Sequence, residues 1–167
     1  MRISLTLALL ASLALALAPS AQAKVIDVPR TVRAVLPDAR DGGVPVLLPS
    51  RMNLDFSGSR TYVTGGGGND QWDIEMAGAR NCGGANVCFL ASFTGEEGKA
   101  LGFRTNVKLA RGLRGYYKPL TCGGSCSPPM IQWVQKGVLY SIQAKVEGDA
   151  KKAMVRAANS AITRSPR

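Results

Sequence analysis

The chain has 167 residues, 21 Lys and Arg against 11 Asp and Glu, a formal charge of +10, and no histidine. That length fits one domain with a real hydrophobic core. The missing imidazole excludes Ser-His-Asp and Cys-His catalysis in their usual forms, a neutral-pH proton shuttle and mixed Cys/His zinc sites.

Arg2 precedes an apolar run from Ile3 to Ala18, then Pro19 and the small-x-small triplet Ala21-Gln22-Ala23. The pattern predicts a bacterial secretory signal peptide over residues 1–23, cut before Lys24. Export implies an oxidising compartment, periplasmic or extracellular, where cysteines pair. The first cysteine is Cys82, which argues against a lipid-anchored lipoprotein. No second apolar run approaches the roughly 18 residues of a membrane helix.

Residues 24–59 read as an N-terminal arm. It has one short helix near Thr31–Leu36 and an apolar run Val44–Leu48, where Pro45 suits an edge strand or the approach to one. Residues 60–167 read as an antiparallel sheet plus helix, so that 24–167 is a single globular domain. Trp72, Ile74 and Met76 alternate with Asp73 and Glu75, a half-buried strand. Phe89–Phe93, Thr105–Leu109, Gly115–Leu120, Met130–Val134 and Val138–Lys145 continue the series, with a hairpin turn at Gln135-Lys136-Gly137. Short turns between such strands imply a meander. After Gly148-Asp149, Ala150, Ala153, Met154, Ala157, Ala161 and Ile162 recur at helical spacing and predict an amphipathic helix from Ala150 to Ile162. The expected fold class is α+β: an antiparallel β-meander with a C-terminal helix on one face and two local disulfides.

Those disulfides are expected to join Cys82 to Cys88 and Cys122 to Cys126, since each pair flanks a glycine-bearing loop between strands. The spacings suit neither a four-cysteine zinc site nor a C-x-x-C redox pair. Gly65–Asp73 matches the nonapeptide of calcium β-rolls, with Asp70 as ligand, yet it occurs once, and shared sites need several stacked copies. It reads instead as a flexible glycine loop joining strands Arg60–Thr64 and Gln71–Met76. No metal or cofactor is expected.

The functional clue is charge. From Lys99 to Val146 there is no acidic residue, and the stretch holds Lys108, Arg111, Arg114 and Lys118 around Tyr116 and Tyr117. These six residues are the candidate anion-binding set, because a patch of one sign attracts polyanions over about 8–10 Å; the other reading is a solvated face that serves only solubility. The expected partner is an anionic envelope component (lipid headgroup, lipopolysaccharide or cell-wall polymer) or an envelope protein. A nucleic-acid partner is not expected, as no recognisable nucleic-acid module is present. The alternatives are a secreted two-carboxylate hydrolase using Asp73 and Glu75, which share one strand face about 7 Å apart, and an inhibitor of a secreted hydrolase. The first lacks the usual nucleophiles and bases, so no enzyme is expected.

Ile131, Trp133, Gly137, Tyr140 and Ile142, followed by the helix ending Asn159-Ser160-Ala161-Ile162, form a further pattern. It resembles the ends of uncharacterised bacterial extracytoplasmic α+β domains, some attached to anti-sigma-type membrane proteins. The resemblance covers about the last 35 residues and implies a noncatalytic sensing or binding module. The paired cysteine loops depart from that pattern.

Overall fold

The computed structural model describes residues 24–83 and 85–164; the expected signal peptide lies outside the described residues. Chain order begins with strand β1 (Lys24–Asp27), helices α1 (Val28–Thr31) and α2 (Leu36–Arg40), and strand β2 (Arg51–Leu54). Then come β3 (Tyr62–Gly68), β4 (Gln71–Ala77), β5 (Phe89–Glu97), β6 (Val107–Lys108) and β7 (Arg114–Lys118). The chain ends with β8 (Thr121–Cys122), β9 (Cys126–Ser127), β10 (Met130–Gln135), β11 (Val138–Ala144) and helix α3 (Ala150–Thr163).

The α+β class holds. Seven strands form one antiparallel sheet in the order β3-β4-β5-β11-β10-β7-β6. It is two meanders joined along β5 and β11, because the chain leaves β5, crosses to the far edge at β6 and returns inward. The join is set by side chains. Ile142 lies in register with Phe93 on one side and Ile131 on the other, and the same row runs on to Ile74 and Tyr117. All five are buried.

A second core row alternates large and absent side chains: Trp72, Gly95, Tyr140, Trp133, Gly115. The Trp133 and Tyr140 rings stack with centroids 5.5 Å apart. Over this row lies Val44–Leu48, which corrects the expected edge strand. The segment pairs with no strand among the described residues, and Val44, Val46, Leu47 and Leu48 are buried. The Pro45 carbonyl accepts from Trp72 Nε1 (3.3 Å) and from the Tyr140 hydroxyl (3.1 Å). A proline that cannot donate has become the acceptor that satisfies two buried aromatic donors.

The arm differs in other ways. Lys24–Asp27 and Arg51–Leu54 form their own two-stranded sheet, and two short helices flank the turn at Val32–Val35 where one helix was expected. Asp27 caps α1 by accepting from Arg30 N, and prolines at the first turns of both helices supply the preset φ that starts them.

The glycine run is a strand, not a loop. Gly65–Gly68 pair with Gln71–Ile74, and the turn is Asn69-Asp70, both at positive φ. Close approach explains the composition: a Cβ on Gly67 would sit 2.5 Å from the Ala39 carbonyl oxygen of α2. The backbone of α2 rests directly on β3.

Helix α3 packs on the same covered face, burying Met154, Ala157, Ala158, Ala161 and Ile162, with Asp149 accepting from Lys152 N at its start. Alanine lets the helix approach closely, and the larger Met154 and Ile162 each contribute about 1.5–3 kcal/mol. Its last turns are also pinned by polar contacts. Asn159 Oδ1 accepts from Ala110 N (2.7 Å), and Ser160 Oγ accepts from Ser50 N (3.0 Å). No helix among the described residues is long and apolar enough to cross a membrane.

Candidate functional site

Alternation along β7 divides the expected anion-binding set. Gly115 and Tyr117 point into the core, whereas Arg114, Tyr116 and Lys118 point to the open face. Tyr117 is therefore corrected from contact residue to core residue; its place in the Ile131 row decides it. Its hydroxyl is held above the ordinary tyrosine range first by burial and then by the Asp149 carboxylate.

Lys108 lies directly opposite Arg114 on β6, at the sheet edge, and both are exposed. Arg114 Nε donates to Thr105 Oγ1 (3.2 Å). Tyr116 stacks on Phe103 at 4.7 Å, and Phe103 itself is 57% exposed. Lys108, Arg114, Tyr116 and Lys118 thus share one end of the open face.

Arg111 does not join them. It sits at φ +56° in the Ala110–Gly112 turn, and its guanidinium donates to the Thr163 carbonyl at the C-terminal end of α3 (3.2 Å). There it lines a cleft of about 310 Å³ together with Lys136, Arg164 and Glu97. Position in sequence put Arg111 at the centre of the basic run; the turn swings it to the helix end.

Both expected disulfides are formed, Cys82–Cys88 and Cys122–Cys126. The two loops meet, which their separation in sequence did not reveal: Asn86 Nδ2 donates to the Cys126 carbonyl, and Lys145 Nζ donates to the Asn86 carbonyl. Beside this contact is a cavity of about 500 Å³ lined by Val87, Leu120, Pro128, Pro129 and Val146, with Asp55 and Lys145 as its charged groups. Val87 is 91% exposed and Leu120 57% exposed, so the apolar lining reaches the surface. The only signal of this site in the sequence is an apolar residue inside or beside each cysteine loop.

Asp73 and Glu75 stand on the open face as expected, and neither lines these two cavities or the two others beside β2 and the first disulfide loop. No group of three or more His, Cys, Asp or Glu suited to a metal occurs among the described residues. Asp70 instead offers its backbone carbonyl to Glu97 N (2.9 Å).

No family model, curated protein or solved structure matches the chain.

Proposed function

We propose that this protein is an exported, noncatalytic binding module of the bacterial cell envelope that meets an anionic partner through the basic end of its open sheet face. The observation that carries this is the Lys108–Arg114 cross-strand pair. Like charges directly opposite each other destabilise a sheet, and an external anion relieves that repulsion. The one ion pair among the described residues is Lys99–Glu96, so neither cation is neutralised internally by a described acid. Lys118 adds a third charge along the same strand face, and the Tyr116–Phe103 stack adds an amphipathic surface beside it. The disulfides fit the oxidising compartment that the N-terminal sequence implies.

The partner class is an envelope polyanion: phospholipid headgroups, lipopolysaccharide phosphates or an acidic cell-wall polymer. Titration of the oxidised protein with anionic and zwitterionic liposomes at several salt concentrations tests the reading. Binding to anionic vesicles alone, weakening steeply with salt, is the expected result. Absence of binding at low salt removes the lipid surface as partner.

A further inference from the structure

The basic end is half of a larger pattern on the open face. Cross-strand register places three rows of side chains there. One row runs Asp73, Thr94, Ser141, Gln132, Tyr116. A second runs Glu75, Ser92, Gln143, Met130, Lys118. The third, from Gln71, passes through Glu96, Leu139 and Val134 toward Arg114 and Lys108. Acids therefore stand on β4 and β5, bases on β7 and β6, and neutral residues between.

Four strand spacings separate β4 from β7, about 19 Å at the usual 4.8 Å each, too far for the two columns to pair within one molecule. The middle strand of the seven is β11. A two-fold axis parallel to β11 and above the open face lays β4 of one copy over β7 of the other, and β5 over β10. Glu75 then faces Lys118 of the second copy, and Asp73 falls between Arg114 and Lys118. A two-fold axis perpendicular to the strands would instead stack acid on acid. Rotation about the first axis also returns a twisted sheet to a parallel twisted sheet, so two copies stay evenly spaced at about 10 Å. Phe103 projects over Tyr116 near the β6 edge. The opposing edge strand β3 presents Gly66 and Gly68 to this face, with open space where side chains would be.

We propose that the open sheet face is a self-complementary docking surface for a second copy of this chain, paired about an axis parallel to β11 through Glu75–Lys118 and Asp73–Arg114 contacts. A face six spacings wide and about 20 Å long covers about 600 Å², somewhat below the roughly 800 Å² per partner of a standard stable interface. The dimer therefore dissociates on dilution and with salt. This inference does not rest on the envelope reading, although an anionic surface would compete for the same cations.

Sedimentation equilibrium of the oxidised protein at low salt, with no vesicles present, separates the two ideas. The expected result is a concentration-dependent dimer weakened at least tenfold by Glu75→Lys and by Lys118→Glu, each of which places like charges in contact twice per dimer. Mixing the two variants restores dimer at wild-type strength, because the mixed pair has opposite charges at both contacts; this recovery also shows that both variants are folded. A wild-type protein that stays monomeric at high concentration and low salt overturns the proposal. So does a mixture no stronger than either variant alone.

Discussion

The indole of Trp72 lies across the backbone of Gly95, so close that a Cβ on residue 95 would sit 2.4 Å from Nε1. Gly95 is the only position between Trp72 and Tyr140 in their core row, and those two rings converge on one carbonyl at Pro45. A methyl group at residue 95 forces the indole off that acceptor. Gly95→Ala is expected to cost about 2–4 kcal/mol, from overpacking together with a weakened buried hydrogen bond. Urea denaturation measures it, and Gly66→Ala, where the added atom meets open space, is the matched control.

Tyr140 is buried, and its hydroxyl is pushed up to about 12 by desolvation. In the unfolded chain it titrates near 10. A folded value above the unfolded one means that the neutral hydroxyl contributes stability in full below about pH 10, and that this is lost as pH rises toward 12. Thermal melts between pH 9 and 12 should show a fall that is smaller in Tyr140→Phe. That variant also starts lower at neutral pH, by about 1–2 kcal/mol, because the Pro45 carbonyl loses a donor.

The two tryptophans should respond differently to phenylalanine. Trp72 Nε1 has its acceptor at Pro45, whereas Trp133 Nε1 is buried without a hydrogen-bond partner among the described residues. An unpaired buried N–H carries a desolvation cost of about 1–3 kcal/mol, which Trp133→Phe removes while leaving a small void. Trp133→Phe is expected to be the milder of the two substitutions in chemical denaturation.

Asn159 holds the Ala110–Gly112 turn to α3 by accepting from Ala110 N. Truncation leaves that N–H half-buried and unmatched. Asn159→Ala is expected to destabilise by about 1–3 kcal/mol, and hydrogen exchange at Ala110 should rise with it.

Arg114 and Arg111 separate binding from stability. Arg114→Glu turns the like-charge pair with Lys108 into an opposite-charge one and should abolish binding to anionic vesicles without lowering the melting temperature. Arg111→Glu sets a negative charge against the C-terminal carbonyls of α3 and should lower stability by about 0.5–1 kcal/mol with less effect on vesicle binding. Equal effects of both on binding would show that the cleft with Lys136 and Arg164 belongs to the same surface.

Local signals were legible in the sequence. The alternation of Trp72, Ile74 and Met76 with Asp73 and Glu75 named a strand and its wet face, because side chains on a strand change sides at every residue. The alanine spacing and the Asp149 cap named α3, and the short cysteine loops named both disulfides, since each depends on residues close together in the chain. Only the tertiary structure could decide which strands are neighbours. The β10–β7 pairing fixes Tyr117 in a core row, the aromatic row beneath Val44–Leu48 makes that segment a buried cover, and contact with α2 explains why Gly65–Gly68, paired with β4, is a strand free of side chains. The tertiary structure also divides the acid-free stretch, placing Arg114 and Lys118 on an open face that carries a column of acids at its other side, and Arg111 at the end of a helix. Such pairings depend on how buried side chains fill space between segments far apart in the chain, and no local pattern of charge or hydrophobicity carries that information.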